Sequence, residues 1–499
     1  MSSVIASPPA TAGAPRHART ALVITAALLV ATAPLGKPVI ALLLIAILGM
    51  CAFLVHRVVL QWHVLAASIV LCILLIPINR YELPGSLPFH LEPYRVLVAG
   101  VLAIWLASLL AQPDTRWRRT GLFGPMLAIG VALLGSIALN IDRLSLPGVE
   151  EHAVKQTSMF LSFFVVMLYV ASVITTKDQL HVVLRSIVAG GAVVAFFGLV
   201  QYRTGFNVFD HLDRVLPGLS LNIGGIPQGL EDRGGGSRVY ASAQHPIAFS
   251  AAMVMLVPIG FYIAREYGGR RWWLASGLIL IAAMSAVART GMVMLIVEFL
   301  VLLCLKPRSI LRLWPYALPF VIVVHFAAPE ALGGIKSAFM PEGGLVAEQH
   351  MNAGESSSNR LADIGPSLTE WAKKPAVGQG FGTRISSPFD PNVNAFILDD
   401  QWLATLLETG ALGFFAILWL FVRVIRRTGR AAKRDRSPFG WLLAALTASI
   451  MGYAVGMVTF DAFSFFQVTF ICFAFIGLSV PAVRLAAKTT AMHPRRPAR

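Results

Sequence analysis

The chain has 499 residues, 56% of them hydrophobic and only 13% charged, with a mean hydropathy of +0.71 and a formal net charge of +16. A soluble protein of this length cannot bury so large a share of apolar side chains, which excludes a water-soluble globular fold. The pI of about 10.2 is not a nucleic-acid footprint, because the basic residues do not cluster on one soluble domain, and no nucleic-acid partner is expected.

Residues 1–20, rich in Ser, Pro and Ala with Arg16 and Arg19, read as a disordered cytoplasmic tail. The apolar run after it leads directly into a second one, so it is read as a first span and not as a cleaved signal. Bilayer-length apolar runs follow near 39–55, 64–78, 96–111, 121–139, 158–174, 182–200, 247–264, 272–288, 291–305, 314–328, 403–421, 440–459 and 464–483. The predicted fold is all-α: a polytopic transmembrane bundle of about 14 helices (12–14) with a large, mostly helical extracytoplasmic loop. In this division 21–328 is the first part of the bundle, with an outer loop at about 201–246. The large loop is 329–402, the C-terminal transmembrane helices are 403–483, and 484–499 is a basic cytoplasmic tail. Cys51, Cys72, Cys304 and Cys472 all fall in apolar runs, so neither a disulfide framework nor a cysteine metal site is implied.

Charge orients the chain. Arg116, Arg118 and Arg119, then Arg265, Arg270 and Arg271, then Lys306, Arg308 and Arg312, and finally the cluster from Arg423 to Arg436 fall on one side, the side of both termini. Most of the acids fall on the other. This is the positive-inside pattern of a multi-pass membrane protein with both termini cytoplasmic.

Two large segments are then external. The first carries Gly224-Gly225, Gly234-Gly235-Gly236, Arg238 and Gln244-His245-Pro246 at the start of a span. The second has a Gly/Glu/Ser-rich stretch, 341–358, after which Ser356 to Ser358 can cap a short helix with Leu361, Ile364, Leu368 and Trp371 at helical spacing. Pro366 sits in its first turns or bends it. Gly378, Gly380 and Gly382 follow Pro375, where the backbone can turn tightly and approach a ligand. No His/Asp/Glu cluster with ligand spacing stands in these loops, so neither a metal nor another cofactor is expected.

Several of these residues have a chemical and a structural reading. Arg360 suits an anionic, lipid-attached substrate through its planar fork, or pairs with Asp363 three residues on. Arg289, between two apolar runs, either faces the bundle interior or snorkels to headgroups. Arg238 is a weaker anion ligand or a loop charge. Of Asp399 and Asp400, one can act as general base or hold substrate hydroxyls, and one can cap the helix that starts near Trp402. His245, ahead of Pro246, is a helix cap or a proton carrier. Glu298 lies about 13 Å deeper than Arg289 along a helix, as a functional acid or a buried hydrogen-bonded one. Trp371 is read as core in preference to a stacking platform for a ligand.

The run Arg360-x3-Ile364-x3-Leu368-x2-Trp371-x3-Pro375-x2-Gly378-x-Gly380-x-Gly382, followed by Asp399-Asp400-Gln401-Trp402-Leu403-x4-Glu408-Thr-Gly410-x2-Gly413, resembles the O-antigen ligase and polymerase superfamily. Arg238-x6-His245-Pro246 and Ala288-Arg289-Thr290-Gly291 upstream are similar to further signatures of that group. The resemblance covers roughly 180–425. It implies a glycosyltransferase acting on an undecaprenyl-diphosphate-linked glycan donor, with Arg289 and Arg360 facing the diphosphate and Asp399 or Asp400 joining them in catalysis. Arg238, His245, Gly378, Gly380 and Trp402 are the implied substrate-binding residues. The acceptor is either another glycan, in a polymerase, or lipid A core, in a ligase. Asp399-Asp400 stands where ligases carry His-Asn, which resembles the exopolysaccharide polymerase branch. A lipid-linked oligosaccharide transporter or flippase is the alternative of another class. It calls for charged residues deep in several spans, whereas here Glu298 alone is clearly deep.

Overall fold

The computed structural model describes residues 61–84, 91–111, 118–216, 218–227, 238–286, 288–312, 315, 322, 364–385 and 398–492. Of the predicted spans, 21–35, 39–55 and almost all of 314–328 lie outside the described residues, as do Arg360 and most of the large loop. The described helices are α1 (Trp62–Leu75), α2 (Pro93–Ala111), α3 (Phe123–Ala138), α4 (Val149–Val173), α5 (Lys177–Thr204), α6 (Pro246–Tyr267) and α7 (Arg270–Ser285). They continue with α8 (Arg289–Leu305), α9 (Pro307–Leu311), α10 (Ile364–Trp371), α11 (Gln401–Arg434), α12 (Phe439–Gly456) and α13 (Phe466–Met492). Seven of them (α2, α4, α5, α6, α11, α12 and α13) are long and apolar enough to cross a membrane, and α1 and α3 are shorter apolar helices. This is a multi-pass helical membrane protein.

Local sequence explains where these helices begin. Thr176 and Gln179 form a reciprocal capping box at the start of α5. His245 caps α6, its Nδ1 accepting the Ile247 N–H at 3.2 Å, and Pro246 occupies the first helical position. The largest departure from expectation is α11. Its 34 residues are two helical stretches joined by a kink at Gly410, and the stretch beyond the kink alone reaches about 36 Å, more than the roughly 30 Å of hydrocarbon that an apolar run measures. Hydropathy marked only 403–421, because the arginine-rich turns beyond it are helical but too polar to be membrane-embedded.

Burial separates centre from rim: the apolar windows of α6, α12 and α13 are 83%, 89% and 78% buried, and that of α2 only 33%. Small residues let the helices approach closely. A Cβ on Gly190 would lie 2.6 Å from Leu71 of α1, and one on Gly191 would lie 2.2 Å from Leu256 of α6. Aromatic contacts join α4 to α13, with Phe163 4.6 Å from Phe470 between ring centroids.

A two-stranded antiparallel ladder was not anticipated. It pairs β1 (Tyr81–Glu82) with β2 (Ser220–Leu221), tying the segment after α1 to the outer loop. Beside it Arg80, fully buried, donates to Asp210 Oδ1 at 2.9 Å and to the carbonyls of Ala241 and Ala243. Tyr240 stacks 5.1 Å from that guanidinium and donates to Asp210 Oδ2 at 2.7 Å. With both terminal nitrogens engaged by Asp210 and two backbone carbonyls, the buried guanidinium ties this loop together just ahead of His245 and α6.

The bundle has two chemically different ends. At one, Lys306 donates to the carbonyls of Ala432 and Asp435, Arg265 lies over Trp441, and Arg484 is within charge reach of Arg118 and Arg427. The segments that the charge pattern assigned to one side therefore do gather at one end. The other end collects the turn after α10, the start of α11 and the α12–α13 connection.

Candidate functional site

At this second end the chain after α10 folds back onto α11. The Gln379 and Gly380 N–H groups donate to the Leu407 and Glu408 carbonyls at 2.9 and 3.1 Å, and the Ala411 and Leu412 N–H groups donate to Pro375 and Ala376. Reciprocal bonding of this kind needs the α11 backbone opened, and Gly410 opens it with φ 65° and ψ −168°. A side chain cannot be placed there: a Cβ on Gly410 would lie 2.3 Å from the Ala376 oxygen, and one on Gly378, itself at φ +69°, would lie 2.5 Å from the Glu408 carbonyl carbon. The close approach expected of these glycines is thus made to α11 itself.

The turn is held from α3 and α4 as well. Asn140 Nδ2 donates to Gly378 O at 3.1 Å while its Oδ1 accepts from Lys374 at 2.5 Å. Ser136 donates to Glu408 O at 2.6 Å, and His152 Nδ1 donates to Gly382 O at 2.8 Å. Trp371 is half-exposed and its Nε1 donates to Pro375 O at 2.9 Å, so it closes the turn and is not a core residue as expected.

This scaffold presents Arg384. Its side chain is only 6% exposed, and its closest described carboxylate is Glu370, at 3.6 Å. Among the described residues neither terminal guanidinium nitrogen has a hydrogen-bond partner. Burial lowers its pKa; Glu370 and Glu408 oppose that shift and Arg143 adds to it. Glu370 is steadied through Gln379, which donates to it at 2.7 Å and accepts from Arg143 at 2.9 Å. Leaving guanidinium donors unbonded in a buried place is costly, and the planar fork they present matches a phosphate or carboxylate.

Acids surround the same place. Glu408 is within electrostatic reach of Arg384 and of Asp461. Asp461, in the α12–α13 connection, accepts from the Ser464 hydroxyl. Burial pushes its carboxyl up from 3.8 to about 6, with the Ser464 bond opposing and Asp399 adding to the rise. Asp399 and Asp400 are distinguished by geometry. Asp400 caps α11, its Oδ1 accepting the Trp402 and Leu403 N–H groups at 2.8 and 3.0 Å. Asp399 has no part in that cap and lies toward Asp461.

The remaining expected residues take the following positions. Arg289 is the first residue of α8, and its neighbour Thr290 shares a 2.9 Å hydrogen bond with Thr459 two residues before Asp461, which brings Arg289 to the same end. His245 stacks against Phe465 at 5.6 Å while capping α6. Arg238 stands just ahead of the rigid Tyr240–Ala243 turn. Trp402, expected at the substrate, has its indole in the helix packing, donating to Ala454 O at 2.9 Å. Glu298 is 1% exposed, makes no hydrogen bond among the described residues, and packs where Gly452 of α12 leaves room. Deep and close against α12, it is not part of this end.

The site's leading residues were passed over in the sequence. Arg384 follows Gly382 by two positions, in the loop already singled out, and Asp461 is the lone acid of a four-residue connection (460–463) between spans. The raised pKa of Asp461 has a consequence for stability. The folded state holds that proton more tightly than the unfolded chain, so the stabilisation is complete below about pH 3.8 and is lost as pH rises through about 6. Melting temperature in detergent is expected to fall across that window in wild type and to change less in Asp461→Asn. Equal slopes in the two proteins would exclude the burial of this carboxyl.

No family model matches this sequence, and no curated protein matches it either.

Proposed function

We propose that this chain is a membrane glycosyltransferase of the O-antigen ligase and polymerase type, polymerising polyprenyl-diphosphate-linked repeat units at the outer face of the inner membrane. The observation that carries this reading is Arg384: a buried guanidinium whose terminal nitrogens make no hydrogen bond among the described residues, within electrostatic reach of Glu408, which is in turn within reach of Asp461. An arginine so placed suits an anionic ligand, and the adjoining carboxylates suit a hydroxyl acceptor.

In the proposed reaction the acceptor hydroxyl oxygen attacks the anomeric carbon of the donor sugar. A new glycosidic C–O bond forms, the C–O bond to the diphosphate breaks, and polyprenyl diphosphate leaves with the electron pair. Arg384 and Arg289 face the diphosphate and stabilise its developing charge, together with Arg360. Asp399 takes the acceptor proton, since Asp400 is committed to the helix cap. The diphosphate belongs to the substrate, and the arginines do the work that a divalent ion does in other transferases.

This division of the two acids gives a direct test. Asp400→Asn keeps an equally good cap and should retain polymer synthesis. Asp399→Asn removes the base and should lower it by about 100-fold or more. Complementation of a deletion strain, with polymer length read on gels and membrane levels of each variant matched, decides it. Wild-type polymer from Asp399→Asn would exclude Asp399 as the base.

A further inference from the structure

The basic end of the bundle carries a groove of about 970 Å³ between α11, α13 and the segment leading into α3. Its walls are built by two arginines that are already engaged. Arg423 Nε donates to Gly121 O at 2.7 Å, and Arg427 donates to Thr120 O. These bonds fix α11 against α3 and leave Arg426, Arg430 and Arg434 exposed along the groove, four residues apart on one helix face. Among the described residues none of these three makes an ion pair or a side-chain hydrogen bond. The groove's one lining acid, Asp435, stands at its far edge, where its carboxylate accepts the Ser437 N–H at 2.8 Å.

A positive-inside charge bias requires only that basic residues stay on one side; it does not require a concave site. Nor does it explain the apolar half of the groove. Trp419 and Val422 are 44% and 37% exposed, and Val483 of α13 lines the opposite wall. Guanidiniums at the rim and aliphatic and indole surface below them match, in order, a phosphate headgroup and an acyl chain. Arg484, within charge reach of Arg118 and Arg427, adds to the positive field, against which the lining offers the single carboxylate of Asp435.

We propose that this groove binds an anionic phospholipid, its phosphate held by Arg426, Arg430 and Arg434 and its acyl chain lying along Trp419, Val422 and Val483. The groove is at the opposite end of α11 from Glu408, and its occupancy is read without any transfer assay. The full-length protein is reconstituted in nanodiscs of equal phosphatidylglycerol and phosphatidylcholine, released, and examined by native mass spectrometry. Wild type should retain phosphatidylglycerol, and Arg426→Gln/Arg430→Gln/Arg434→Gln should retain at least about tenfold less. All three arginines are exposed, so the variant should elute and melt as wild type does. The corresponding triple lysine variant, which folds with its charge intact, should show intermediate retention because the fork is lost. Equal retention by wild type and the glutamine variant, or equal retention of phosphatidylcholine by wild type, would overturn the proposal. Displacement of the lipid by millimolar inorganic phosphate would assign the groove to a free anion instead, and would overturn the lipid assignment.

Discussion

Arg384→Ala is expected to abolish most polymer synthesis while leaving the protein as stable as wild type. Loss of one transition-state contact of this kind costs about 3 kcal/mol, or about 100-fold in rate. The stability expectation follows from the same geometry: the guanidinium is buried, its terminal nitrogens make no hydrogen bonds among the described residues, and its 3.6 Å ion pair is with Glu370, 27% exposed. Removing such a group relieves desolvation instead of breaking a network. A structural arginine would behave the other way, lowering the melting temperature and affecting activity only through the amount of folded protein. Arg384→Lys retains the charge without the fork and should remain substantially impaired. Turnover per folded molecule, with the melting temperature of each variant in detergent, separates the two roles. A variant that is unstable but fully active per molecule would remove Arg384 from the site.

Gly410→Ala should be the most destabilising single-methyl change at this end of the bundle. Its φ and ψ of 65° and −168° lie in a region that side-chain-bearing residues essentially never adopt, at a cost of about 1–3 kcal/mol. The new Cβ would also stand 2.3 to 2.5 Å from the Ala376 and Val377 backbone. Neither segment can withdraw without breaking the bonds from Ala411 and Leu412 to Pro375 and Ala376, which adds about 1–3 kcal/mol of overpacking. A lower melting temperature and a loss of activity should therefore appear together, because the shift moves Glu408 away from Arg384. Gly277→Ala in α7 is the matched control. A Cβ there meets nothing within 4 Å, so the change should be neutral or slightly stabilising. Equal behaviour of the two variants would show that the turn after α10 does not pack on the α11 kink.

Much of the bundle was legible because hydropathy and helical structure coincide inside a bilayer. The run read at 247–264 became Pro246–Tyr267, and that at 440–459 became Phe439–Gly456. Where helix and membrane part company the reading stopped short, as at α11, whose last turns are polar. The site was legible as a place more than as a residue set. The glycines after Pro375 marked a close approach, but the sequence does not say what is approached, and the partner proved to be the kink at Gly410. The two aspartates before Trp402 were equivalent on paper, and only backbone geometry assigned the cap to Asp400. Arg384 went unread because Arg360 fits the motif spacing, and an arginine's burial depends on contacts from Glu370 and Glu408 that lie far apart in the chain. Asp461 was hidden for a similar reason: its carboxyl matters through Asp399, more than 60 positions earlier.

Purified protein in proteoliposomes, supplied with a polyprenyl-diphosphate-linked repeat unit, tests glycosyl transfer most directly. Wild type should release polyprenyl diphosphate in step with the growth of glycan chains, and Arg384→Ala should release it about 100-fold more slowly. Intact donor after prolonged incubation with folded wild-type protein, or donor carried across the bilayer without release of diphosphate, would contradict it.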